Sequence, residues 1–250
     1  MSTPALSTHG LEKSFGSLVV ASDVNLAIPL GARYALIGPN GAGKTTLINL
    51  MTGMLRPDAG KIRLGETDIT AFSPGDRVKR GLVRTFQINQ LFPHLNALEA
   101  VTLAVCERRG VAGKFWRPLP AYAEAVDEAY AILGSLMLAP DCYRLTRELA
   151  YGQQRLLEIA LALATRPKVL LLDEPAAGVP REESAELFTA IAGLSQDMTI
   201  LFIEHDMDLV FRFASRIIVM VGGSVLVEGT PQEIAADARV REVYLGGEAP

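Results

Sequence analysis

The chain has only two cysteines and one tryptophan in 250 residues, no excess of basic charge and no long hydrophobic run. Cys106 and Cys142 are too few to staple a fold of this length, which favours a reducing compartment over a disulfide framework. Lysine and arginine number 24 against 28 aspartates and glutamates, a formal net charge of −4, so no global basic field draws the chain to nucleic acid. The longest apolar run, Ile159 to Ala164, falls far short of the roughly 18 to 20 residues of a membrane-spanning helix. Met1-Ser2-Thr3-Pro4-Ala5-Leu6 offers neither a basic n-region nor an apolar h-region, so no secretory signal is expected. The protein is read as intracellular, reaching a membrane only by docking on something else. What the sequence does have is apolar content: 49% hydrophobic against 21% charged residues supports a sizeable core and argues against disorder.

Strand and helix periods alternate along the chain. Val24, Leu26 and Ile28 face one way and Asp23, Asn25 and Ala27 the other, as in a half-buried strand. Arg33 to Ile37 reads as a buried strand, Thr45 to Met51 as a helix closed by Gly53, and Lys61 to Leu64 as a short strand after turn residues. Tyr122 to Leu138 shifts to strong helix formers and reads as a helical insertion. Gln153 to Thr165 carries Leu156, Ile159, Ala160 and Leu163 on one helical face, and Pro167 stops it. Val169 to Leu172, Thr199 to Ile203 and Ile217 to Val221 read as strands separated by helices, and Gly222-Gly223 as a late hairpin turn. This order gives an α/β fold with a mainly parallel core sheet.

Two motifs carry chemistry. Gly38, Pro39, Asn40, Gly41, Ala42, Gly43, Lys44 and Thr45 fit G-x-x-x-x-G-K-[ST] between a strand and a helix, and Thr46 extends the same cradle. Glycines let backbone N–H groups approach a phosphate without Cβ clashes, and the helix N-terminus adds partial positive charge. Lys44 supplies a full charge for the β- and γ-phosphates, and the Thr45 hydroxyl suits Mg²⁺. Val169 to Leu172 then delivers Asp173 and Glu174 at a strand end, where open α/β sheets face their ligand. Asp173 suits Mg²⁺, and Glu174 is placed to orient or deprotonate an attacking water.

With four further elements the chain resembles the ATP-binding cassette of ABC transporters, from residue 6 to residue 248. Phe15 matches the aromatic residue that stacks on adenine in that family. Thr85-Phe86-Gln87 resembles the Q-loop, whose glutamine reaches Mg²⁺ and the attacking water. Leu149-Ala150-Tyr151-Gly152-Gln153 stands where the family has its LSGGQ signature, and Glu204-His205-Asp206 resembles the switch whose histidine contacts the γ-phosphate. Arg84 to Pro93, Leu149 to Arg155, Ile203 to Met207 and the tail Tyr244-Leu245-Gly246 look like an ATPase subunit of branched-chain amino-acid importers.

The resemblance implies a P-loop NTPase fold. An antiparallel β subdomain joins a RecA-like core over about 1–95 and 160–250, and a helical subdomain is inserted at about 96–159. It implies ATP and Mg²⁺ as cofactors, with Thr45, Gln87 and Asp173 toward the metal and Glu174, His205 and Gln87 in catalysis. Ala150, Tyr151, Gly152 and Gln153 would meet the nucleotide of a partner. The implied partners are a second ATPase subunit, identical or related, membrane permease subunits and, indirectly, an extracytoplasmic solute-binding protein, with no nucleic acid. The implied location is peripheral, on the cytoplasmic face of the inner membrane. Ile88 to Leu95 is unusually apolar for a loop, and Phe92 is the residue expected to be exposed there for the permease.

Two positions depart from the pattern: Ala150 replaces the signature serine, and Pro180 stands where the D-loop has Asp or Asn. Two other classes remain open: a cassette ATPase acting on nucleic acid, which would carry a coiled-coil insertion or a second cassette, and a nucleotide-binding adaptor that no longer hydrolyses, which would lack Lys44, Asp173, Glu174 or His205.

Overall fold

A computed structural model describes residues 3–85, 91–111 and 122–245. The chain divides into two compact units. Unit 1 holds Met1–Arg84, Lys168–Glu174 and Ser195–Pro250, and unit 2 holds Thr85–Pro167 and Pro175–Leu194.

Unit 1 contains two sheets. β1 (Leu6–Phe15), β2 (Leu18–Ile28), β4 (Ala59–Leu64) and β5 (Thr67–Asp68) form an antiparallel sheet in the order β2-β1-β4-β5. In β2 the expected alternation is realised, with Val24, Leu26 and Ile28 buried between exposed neighbours. The second sheet has the order β10-β9-β3-β8-β7-β6, formed by β3 (Arg33–Ile37), β6 (Leu82–Arg84), β7 (Val169–Asp173), β8 (Thr199–Ile203), β9 (Arg216–Val221) and β10 (Ser224–Gly229). Its pairs are parallel except that of β10 with β9. All five residues of β7 and of β8 are buried, as the unbroken apolar runs predict for central parallel strands. Helix α1 (Lys44–Thr52) buries Leu47, Ile48, Leu50 and Met51 in a core shared with Leu36, Leu171 and Leu201.

The far end of α1 has a dedicated cap. Arg77, on the short helix α2 (Pro74–Lys79), is 1% exposed. It donates to the carbonyls of Leu50 and Met51 in the last turn of α1, at 2.7 and 2.6 Å, and to those of Thr70 and Phe72 at 2.9 and 3.2 Å. Burial pushes the guanidinium below its ordinary range. A cation at a helix C-terminus satisfies orphan carbonyls and complements the dipole.

Unit 2 is helical: α3 (Ala97–Arg108), α4 (Ala123–Ser135), α5 (Tyr151–Leu163) and α6 (Arg181–Ala192), with 3₁₀ turns at Ala139–Asp141 and Thr146–Glu148. Asn96 and Glu99 close a reciprocal capping box at the start of α3. Glu128 on α4 accepts from Arg108, Arg109 and Arg166, which together hold its carboxyl down to about 2. Unit 1 ends in α7 (Met207–Phe213), α8 (Pro231–Ala236) and α9 (Ala238–Leu245). Among the described residues no helix is long and apolar enough to cross a membrane.

Arg77→Ala should lower stability by about 3 to 5 kcal/mol, because several buried carbonyls each lose a charged donor. Urea unfolding of the full chain measures this. A loss under about 1 kcal/mol would show that water replaces the guanidinium without cost.

Candidate functional site

The loop after β3 is shaped by close backbone approach. A Cβ on Gly38 would run into the carbonyl oxygen of Met220 on β9, and one on Gly43 into that of Val20 on β2. Gly43 also takes φ 96° as the N-cap of α1, a conformation that L side chains resist. The hairpin turn at Gly222-Gly223 supports the loop from the same side: the Gly223 N–H donates to the Ala42 carbonyl at 3.1 Å. Lys44 is buried and folds back over the loop, donating to the carbonyls of Gly38 and Pro39 at 2.6 and 3.0 Å. Burial pushes its ammonium below the usual lysine range, while the carboxylates of Glu174 and Asp173 act in the opposite direction. Thr45 is exposed and Thr46 half-buried on the first turn of the helix.

β7 ends in two carboxylates with different surroundings. The side chain of Asp173 is 1% exposed. Its Oδ2 accepts from Arg84 Nη2, and its Oδ1 is buried with no hydrogen-bond partner among the described residues. Glu174 turns out of the strand at φ 49°, a left-handed conformation costing a non-glycine residue about 1 to 2 kcal/mol. Its N–H donates to the Ile203 carbonyl at 3.0 Å, which anchors it to the end of β8. The strained backbone brings Glu174 Oε1 to 3.0 Å from His205 Nε2. His205 is held in turn by the start of α7, where Asp206 accepts from the N–H groups of Asp208 and Leu209. Strain concentrated at such a position is characteristic of functional sites.

Phe15 ends β1 and is 52% exposed, so it is not a core residue. Leu18 and Val19, at the start of the paired strand, are exposed beside it in sequence. Lys13 lies 5.6 Å from the Phe15 ring centroid and is paired with Asp58, which also accepts from the Ser14 N–H.

In unit 2, α5 begins at Tyr151, two residues earlier than the apolar period suggests, with Ala150 as N-cap. Alanine has no side-chain acceptor, so the cap is made by Gln153: its Oε1 accepts from the Ala150 N–H at 3.0 Å and its Nε2 donates to Asp141 at 2.7 Å. Gly152 sits where a Cβ would meet the Glu183 carboxylate at 2.6 Å. The Tyr151 hydroxyl accepts from Arg155 at 2.9 Å, and its ring would come within 3.2 Å of a Cβ on Gly178, a tight contact. Pro180 is the N-cap of α6 and offers no side-chain acceptor there.

Unit 1 thus gathers residues 38–46, Asp173, Glu174 and His205, while Ala150 to Gln153 lie in unit 2. Gln87 falls outside the described residues. Arg84, which the sequence places only at the head of the Arg84 to Pro93 run and gives no role there, is a site residue whose contacts the sequence did not announce.

The family model for the ABC transporter matches residues 21–177. The chain belongs to the ABC transporter family. A model described as the branched-chain amino acid ATP-binding cassette transporter matches residues 224–250. A high-affinity branched-chain amino acid transport ATP-binding protein of Pseudomonas aeruginosa is 41% identical, covering 98% of this chain and 99% of its own. One of Escherichia coli is likewise 41% identical, over 98% and 99%. Among solved structures, a nucleotide-free ATP-binding cassette from an ABC transporter superposes with a TM-score of 0.83 at 33% identity, covering 98% of this chain and 99% of that one. The ADP conformation of an ABC transporter cassette gives 0.83 at 32% identity, over 98% and 99%. The P-loop fold of this ABC cassette, with its antiparallel and mainly parallel sheets, is that of the family.

Two alanine substitutions in the loop should differ sharply. Gly43→Ala should destabilise the full chain by about 2 to 4 kcal/mol, from a backbone clash added to an unfavourable φ. Gly41→Ala, where φ is 80° but nothing lies within 4 Å of the added carbon, should cost only the conformational part, about 1 kcal/mol. Thermal unfolding of both variants measures the difference. Equal costs would mean that the β2 carbonyl yields freely and does not shape the loop.

Proposed function

We propose that this chain is the ATP-hydrolysing subunit of an importer for branched-chain or related amino acids, working as a dimer on permease subunits at the cytoplasmic face of the membrane. The observation that carries the hydrolytic part is the Glu174–His205 contact at the end of β7, beside a loop built for phosphates. The cargo class is supported by the full-length relatives, whose names give branched-chain amino acid transport. In this reading the ATP-binding part comprises about residues 1–95 and 160–250, and the inserted helical part about 96–159.

Backbone N–H groups of residues 40–46 and the Lys44 ammonium hold the β- and γ-phosphates. Nucleotide displaces Lys44 from the carbonyls of Gly38 and Pro39, so the lysine exchanges two neutral acceptors for charged ones. Glu174 accepts a proton from the attacking water. As the water oxygen bonds to the γ-phosphorus, the bond to the bridging oxygen breaks, and ADP and phosphate form. His205 orients Glu174 and donates to the developing γ-phosphate charge. Phe15, exposed at the end of β1, stacks on adenine.

The residues fit Mg²⁺ on this chain's own terms. Asp173 Oδ1 is a buried carboxylate oxygen without a partner among the described residues, and the exposed Thr45 adds a hydroxyl oxygen. Among the described residues no cluster of three His, Cys, Asp or Glu offers a full protein cage, and Mg²⁺ sites of nucleotides use one or two carboxylates with phosphate and water. When bound, the ion neutralises phosphate charge; Thr45, Asp173 and Gln87 would hold it.

The N-terminus of α5 would meet the γ-phosphate of a partner's nucleotide, so ATP closes the dimer and hydrolysis releases it. Ala150 brings no hydroxyl to that contact, which leaves the Gly152 N–H and the helix dipole. Tyr151, pressed on Gly178, ties the signature to the D-loop within unit 2. Phe92, 59% exposed between half-buried Leu91 and Leu95, suits a groove for a permease helix.

Glu174→Gln should keep nucleotide binding and cut ATP turnover by about 10²- to 10⁴-fold, the usual contribution of a positioned base. Phosphate release by the purified chain tests this, and near-normal turnover would place the base elsewhere. Phe15→Ala should raise the Kd for ATP by roughly 5- to 150-fold, the equivalent of a lost aromatic–base stack. Saturating ATP should restore the rate, and an unchanged Kd would remove Phe15 from the adenine site.

A further inference from the structure

Arg84 is the last residue of β6 and precedes Gln87 by three positions. Its side chain is 12% exposed and forks between two elements of unit 1. Nη1 donates to Asn49 Oδ1 on α1 at 2.6 Å, and Nη2 donates to Asp173 Oδ2 at the end of β7. The register explains the reach: Arg84 pairs with Leu171, so its side chain extends along the neighbouring strand to Asp173, two residues further on. One guanidinium therefore bridges the helix that begins at the phosphate loop and the strand that ends at the acid pair.

A carboxylate as deeply buried as Asp173 demands compensation. Arg84 compensates one oxygen only, and the other, Oδ1, has no partner among the described residues. A guanidinium anchored at both prongs has little rotational freedom, so it holds Oδ2 in place and compensates its charge. We propose that Arg84 is a positioning residue for Asp173, holding Oδ2 so that Oδ1 is presented to the divalent cation that accompanies ATP. The inference rests on the ATP-binding reading above. Arg84 touches neither nucleotide nor metal; it acts through Asp173, and Asn49 acts through Arg84.

The test is a Mg²⁺ titration of the full chain at fixed methylanthraniloyl-ATP, read by fluorescence, alongside nucleotide binding in EDTA. Arg84→Met should raise the Mg²⁺ midpoint by about 10-fold or more, the effect typical of losing a group that orients a metal ligand. Binding in EDTA should not change, because the loop and adenine contacts do not involve Arg84. Arg84→Lys, which keeps the charge and loses the fork, should fall between wild type and Arg84→Met. Asn49→Ala, which removes only the outer anchor, should shift the midpoint in the same direction by less, and it decides the matter alone if Arg84→Met does not fold. A purely structural role would lower thermal stability without moving the Mg²⁺ midpoint. An unchanged or lowered midpoint in these variants overturns the proposal. A wild-type chain that binds nucleotide without any response to Mg²⁺, or does not bind it, overturns both the proposal and the reading on which it rests.

Discussion

Everything at this site depends on backbone pressed against backbone beneath the phosphate loop. The carbonyls of Met220 and Val20 leave no room for side chains at Gly38 and Gly43, and the Gly223 N–H fixes Ala42 from the hairpin beside it. The loop can then start α1 in a single geometry. The helix is treated at both ends: Lys44 folds over the loop at the start, and Arg77 closes the last carbonyls at the finish. With its own C-terminus satisfied, the helix dipole is available at the phosphate end without frayed carbonyls at the other.

The strand end of β7 separates two adjacent carboxylates into different roles by environment. Asp173 continues the strand and stays buried against Arg84, so its charge is compensated and its orientation fixed. Glu174 leaves the strand in a left-handed conformation, half-exposed, and meets His205 from the end of β8. A buried, oriented oxygen suits a metal; a partly solvated carboxylate with an imidazole partner suits proton transfer. The left-handed turn at Glu174 takes its carboxylate to His205 while that of Asp173 stays with Arg84.

What could be read from the sequence was local. The phosphate loop, Asp173 and Glu174 were legible because strand, glycines, lysine and acids follow one another over short spans, and the buried strands because central parallel strands are apolar without interruption. Arg77 and Arg84 were not legible. Arg77 reaches carbonyls 26 and 27 residues away, and Arg84 reaches an acid 89 residues away, distances at which no periodicity signals a pair. The start of α5 was read two residues late for a related reason. The usual N-cap side chain is missing at Ala150, and the substitute comes from Gln153, inside the helix. Phe15 is a lone aromatic whose exposure only the fold reveals.

Amide hydrogen exchange of the full chain, with Glu174→Gln to prevent turnover, tests the central account most directly. Adding Mg²⁺ and ATP should slow exchange at residues 40–46 at every protein concentration. At residues 151–155 it should slow exchange only at concentrations where the chain sediments as a dimer. Protection of both segments in the monomer would contradict the shared site. No protection at residues 40–46 would contradict the phosphate cradle itself.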